Sequence, residues 1–151
     1  MDLLDLVTHG LGQHDLGVAI GRAAVGIFFA ISGFHKLFVP ERHARLTRTL
    51  EADKVPFVPF MQWWVPFWEF ASGVLMAVGL FTVFNAVVLI IVCLVACAAE
   101  APSKVAKYAP INAADKLDDY LYLPEVLYVV MLAGVALGGA GPYSLDAFFF
   151  R

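Results

Sequence analysis

Trp64–Leu80, WVPFWEFASGVLMAVGL, is the stretch whose reading decides the fold. It approaches the roughly 20 apolar residues that cross a hydrocarbon core, yet it carries one carboxylate, Glu69, near its middle. A charge at the bilayer centre costs roughly 2.5–3.5 kcal/mol on insertion scales. Glu69 is therefore expected to be protonated, paired with a cation, or turned towards a polar cavity.

The rest of the chain agrees with a membrane setting. Hydrophobic residues make up 61% of the 151 residues, and the mean hydropathy is +0.79, well above an ordinary soluble domain. Apolar runs predict four spans at about 16–38, 60–80, 82–99 and 120–138. The fold class expected is an all-α membrane protein, an antiparallel four-transmembrane-helix bundle with short interfacial helices, forming one domain over 1–151. The net charge of −3 argues against nucleic acid as a partner, which is expected to show as a basic excess.

Met1–Asp15 has no Lys or Arg and three Asp, so it lacks the basic start of a cleavable signal peptide. Its loose stripe of Leu3, Leu4, Leu6, Val7 and Leu11 predicts a short interfacial helix. In the first span Arg22, Gly26, Phe29, Gly33 and Lys36 fall on one face, and the glycines allow close backbone approach. Val39–Pro56 predicts a connecting helix with Arg42, Arg45 and Arg48 crowded on one side, suited to an anionic membrane surface. Phe57–Trp68 is an aromatic belt with a kinked or delayed helix start. Only Phe81–Thr82 separates the second span from the third, which predicts a tight hairpin. Cys93 and Cys97, four apart on one helix, are badly placed for a disulfide and are read as small packing residues. The polar stretch after Glu100 contains no metal-ligand spacing, phosphate loop or nucleophile motif. Ser144 and Asp146 are candidate caps of a short terminal helix.

Aligning the span ends and counting 1.5 Å per residue groups the buried charges into two layers. The first is Arg22, Glu69 and Asn85, with an Arg22–Glu69 pair. The second is Lys36 with Glu125, near His35 and Glu100. Each layer is either a site for chemistry or a set of ion pairs that fixes helix register. The connecting segments at about 39–56 and 100–119, together with Lys36 just before the first, hold eight of the ten Lys and Arg, against Arg151 alone on the other side, so the positive-inside rule places both in the cytoplasm.

The pattern R-x(10)-S-G-F-H-K-L from Arg22, the second-span W-E-F-A-S-G-V-L-M-A-V-G-L-F-T, the P-E opening of the fourth span and the exit G-A-G-P-Y-S-L-D resemble the DoxX family of small bacterial membrane proteins. Arg22, Lys36, Glu69 and Asp146 match its polar pattern. The resemblance implies a four-helix protein of the bacterial inner membrane; some relatives are subunits of thiosulfate:quinone oxidoreductase. Two expectations follow. One is a redox-associated subunit whose polar layer meets a lipid-soluble quinone or relays protons to it. The other is a non-catalytic scaffold or small-solute carrier that recruits a cytoplasmic partner. The chain has no cofactor motif of its own, and no metal is expected. The partners to consider are the bilayer, a redox-enzyme subunit and a second copy of the chain.

Overall fold

A computed structural model describes residues 13–150, and its regular elements are all helices. They are α1 (His14–Phe38), α2 (Pro40–Ala52), α3 (Val58–Val78), α4 (Thr82–Tyr108), α5 (Ala113–Leu121), α6 (Pro124–Gly138) and α7 (Leu145–Phe150). The expected interfacial helix at the N-terminus lies almost wholly outside the described residues.

Helices α1 and α3 share the most extensive contact in the molecule. Arg22, Val25, Gly26, Phe29 and Gly33 are the buried residues of α1, and Pro66, Glu69, Ser72, Gly73 and Met76 those of α3. Both sets recur every three or four residues, so each helix buries one stripe. Glycine lets the backbones touch: a Cβ on Gly26 would lie 2.8 Å from the Gly73 carbonyl oxygen, and one on Gly73 would lie 2.8 Å from that of Gly26. Gly33 meets the backbone of Pro66 and Phe70 in the same way. This close approach replaces side-chain interdigitation and sets the register of the pair.

Helix α4 packs on α3 and α6, and α6 also reaches α1. Between them lies a core of Val25, Phe29, Met76, Ala86, Leu89, Cys93, Leu132 and Val135, with Tyr128 packed against it. A smaller cluster of Ala101, Val105 and Leu123 joins α4 to the start of α6. The outward faces are apolar too: Ile27, Ile31, Val74, Val87, Ile91, Leu94 and Val130 are all exposed. So large an apolar surface suits lipid and not water.

By length and composition α1 and α4 can each cross a membrane. The expected span at 60–80 is not supported in the same way: α3 has 21 residues, but its tryptophans, prolines, Gln62 and Glu69 leave it lower in mean hydropathy than α1 and α4. The expected span at 120–138 differs as well. Helix α6 has 15 residues, about 22 Å at 1.5 Å each, and it passes the same test only together with α5, to which it is bent by 62°. The stretch Leu123–Pro124 makes this bend, since a residue before proline avoids the helical region. The expected third span continues as helix to Tyr108 through Pro102, so part of the predicted polar loop is helical. At the aromatic belt α3 starts without delay at Val58, because Pro59 falls in the first turn, where a missing N–H costs nothing.

Candidate functional site

Three polar clusters occupy the helix pairs, and their partners differ from the two layers expected. The first holds the α3–α4 reversal. Gly79 closes α3 at φ 75° and Phe81 precedes α4 at φ 50°, both left-handed. A Cβ at Gly79 would meet the Arg22 guanidinium, whose Cζ would be 2.6 Å away, so glycine is required for space as well as for φ. Arg22, 2% exposed, donates from Nη1 to the Met76 carbonyl at 3.1 Å and from Nη2 to the Tyr143 carbonyl at 2.7 Å. Asn85 Nδ2 donates to the Leu80 and Phe81 carbonyls at 2.9 and 3.0 Å. From the C-terminal segment, Asp146 accepts from the Phe81 and Thr82 N–H groups at 2.7 and 2.9 Å, while its own N–H donates to the Gly79 carbonyl at 2.8 Å.

These bonds satisfy backbone groups that a helix end leaves open. Burial acts to raise the Asp146 carboxyl, but hydrogen bonds from Thr82 and Phe81 and the nearby Arg22 guanidinium hold it below the usual carboxylate range. Ser144, not Asp146, caps α7, its hydroxyl accepting from the Ala147 N–H at 3.1 Å.

The second cluster is Lys36 with Glu69. Lys36 Nζ lies 2.7 Å from Oε1 and 2.6 Å from Oε2 of Glu69, and the Glu69 side chain is 8% exposed against 30% for Lys36. Helix α2 closes over this end: His43 Nδ1 lies 2.9 Å from the Lys36 carbonyl oxygen, and the His43 ring rests 4.2 Å from that of Trp63. Thr47 donates to Gln62 Oε1 at 2.9 Å.

The third cluster has two carboxylates about one lysine. Lys104 Nζ is 2.7 Å from Glu100 and 3.0 Å from Glu125, and Glu125 Oε2 is buried without a partner.

The expected Arg22–Glu69 pair is thus corrected to Lys36–Glu69, with Arg22 bound to backbone carbonyls. The expected Lys36–Glu125 pair is corrected to Lys104–Glu125, with Glu100 on the same lysine. The error lies in register. Span ends alone put Leu16 level with Leu80, whereas Gly26 faces Gly73 and Ala77, a slip of about five residues or 8 Å at 1.5 Å each. Opposing the glycines of the two helices would have found it. Arg22, Glu69 and Asn85 are all buried, but Asn85 and Arg22 serve the reversal and Glu69 does not. His35 is exposed and joins neither pair. Lys104 and the reach of Asp146 to α4 escaped the sequence because both depend on contacts between distant segments. Cys93 and Cys97 are free thiols, Cys93 buried in the core. Among the described residues no three His, Cys, Asp or Glu side chains converge as metal ligands.

Comparison with curated proteins and with solved structures gives no match. The DoxX family model matches residues 17–100, which include all but the first three residues of α1, the α1–α3 glycine contact, the Lys36–Glu69 pair and most of α4. With more than half of its length matched and with helices able to cross a bilayer, this multi-pass membrane protein belongs to the DoxX family.

Proposed function

We propose that the chain is a four-span antiparallel bundle of the bacterial inner membrane that serves the quinone-linked reaction of a partner redox enzyme. Helices α1, α3 and α4 and the apolar part of the bent α5–α6 pair, from about 120 to 138, are its four crossings, with the charged stretch Asp115–Asp119 of α5 left in the connecting segment. Supporting this, α1 and α4 each pack on both α3 and α6. Both basic connecting segments then lie on the cytoplasmic side.

The observation that carries the redox reading is the Lys36–Glu69 pair, a carboxylate with 2.6 Å contact to its lysine in a helix that otherwise exposes apolar side chains. Ionisable groups inside a span are kept at a cost and mark proton or substrate paths. Reducing a quinone consumes two electrons and two protons. The partner enzyme supplies the two electrons; the Glu69 carboxylate takes up a proton from the aqueous side, passes it to a quinone oxygen, and does so again for the second oxygen, returning each time to the carboxylate that Lys36 holds. In proteoliposomes containing the redox partner, Glu69→Gln should lower quinone reduction at least tenfold; unchanged quinone binding and turnover would remove this role.

A second reading, a non-catalytic scaffold, is favoured by the first cluster. Arg22, Asn85 and Asp146 spend their hydrogen bonds on backbone groups of this chain, which is what a structural latch needs. On that reading Lys36–Glu69 also only joins α1 to α3, and the basic segments recruit a cytoplasmic protein.

A further inference from the structure

At the end of α1, beside the Lys36–Glu69 pair, a cleft of about 300 Å³ is lined by Phe28, Ile31, Ser32, His35, Lys36 and Arg42. Its two halves differ chemically. Phe28 and Ile31, 42% and 53% exposed, continue the apolar flank of α1. Ser32, His35 and Arg42 form a polar rim, with no carboxylate in the lining. Lys36 is already neutralised by Glu69, while Arg42 has no ion-pair partner among the described residues. The net charge left to the lining is that of one arginine, the complement of one phosphodiester.

Depth supports the same reading. Gly33 lies against Pro66 and Phe70, so a little over one turn further on, past Lys36 at the end of α1, the chain comes level with the tryptophans. Trp63 and Trp64, both exposed, form the kind of aromatic belt that sits among lipid headgroups. His35 and Arg42 are then at headgroup level, with Ser32 about one turn deeper and Phe28 and Ile31 towards the acyl region.

We infer that this cleft is a binding site for one anionic phospholipid, its phosphodiester held by Arg42, His35 and Ser32 and an acyl chain lying over Phe28 and Ile31. Arg42 supplies the charge-assisted hydrogen bonds, and the imidazole and hydroxyl add donors to the remaining phosphate oxygens. The inference does not rest on the quinone reading, since no proton or electron transfer enters it and Glu69 enters only as the ion-pair partner of Lys36.

The test is native mass spectrometry of the full chain extracted from membranes of equal phosphatidylglycerol and phosphatidylcholine, counting retained lipid. One phosphatidylglycerol per chain is expected, and Arg42→Gln should lower its retention about fivefold, the effect of one cation at a membrane surface. Arg48→Gln, an equal loss of charge from an exposed position of α2 outside the cleft, should leave it unchanged. An equal drop in both variants would mean diffuse attraction to the surface and would overturn the site. So would equal retention of the two lipids. Inorganic phosphate, which has no acyl chain, should not displace the lipid; displacement at millimolar phosphate would reduce the site to a simple anion pocket and overturn the acyl half. Circular dichroism of each variant checks that the helices are intact, and Ile31→Ser gives a second arm that weakens retention without altering charge.

Discussion

At the scale of single residues, the two buried basic groups of α1 do different work. Arg22 bridges two carbonyls from distant segments, a task for which its planar fork of donors is suited and a lysine is not. Lys36 instead places one ammonium between both oxygens of Glu69. Removing one member of a buried pair strands the other, which costs roughly 3–5 kcal/mol when burial is complete. Lys36 is 30% exposed at its side chain, so Glu69→Gln should destabilise by less, about 2 kcal/mol, read as thermal unfolding in detergent. The double variant Lys36→Met with Glu69→Gln should lose less than the sum of the two singles. Additive losses would show that the pair contributes nothing as a pair.

Asp146 adds a pH dependence. Its carboxyl is held below the usual carboxylate range in the folded chain, so the unfolded chain binds its proton first as pH falls. The stability it contributes is present in full above the unfolded value, near 3.8, and is lost as pH falls through the lower folded value. Stability measured from pH 6 down to pH 2 should therefore show an acid-side loss that Asp146→Asn removes, at the cost of lower stability near neutrality.

At the scale of elements, the α1–α3 pair depends on the absence of side chains. A Cβ on Gly73 would lie 2.8 Å from the Gly26 carbonyl oxygen and from the Phe29 carbonyl carbon, backbone atoms that cannot swing aside. Gly73→Ala must push the helices apart, with an expected loss of about 1–3 kcal/mol. Gly134 on α6 has nothing within 4 Å of where a Cβ would be, so Gly134→Ala should stabilise its helix by up to about 1 kcal/mol. Unfolding temperatures moving in opposite directions would verify the contrast; equal shifts would contradict it. Connection lengths also act at this scale. The α3–α4 reversal takes only Gly79, Leu80 and Phe81 between helices, so its open backbone groups need Asn85 and Asp146 from elsewhere.

At the scale of the whole molecule, the exposed apolar faces of α1, α3, α4 and α6 require lipid, and the proposed four crossings can be tested by side. In a background with Cys93 and Cys97 replaced by alanine, cysteines at Lys54 and Lys107 should react with an impermeant maleimide from the cytoplasmic side and one at Phe149 from the other. Labelling of Lys54 and Lys107 from opposite sides would rule out the four-span arrangement.

The sequence by itself determined that the chain is helical and made for a membrane, because hydropathy is a property of local composition and every span must satisfy its own backbone in lipid. The stripe of Arg22, Gly26, Phe29, Gly33 and Lys36 was legible for the same reason, since helical spacing alone puts these residues on one face. Which charge meets which was decided only by tertiary structure. A lysine or arginine reaches across several ångströms, so a helix slip of five residues exchanges Arg22–Glu69 for Lys36–Glu69. That slip is fixed by the contact of Gly26 with Gly73 and by the bonds of Arg22 to the Met76 and Tyr143 carbonyls, neither of which local spacing contains.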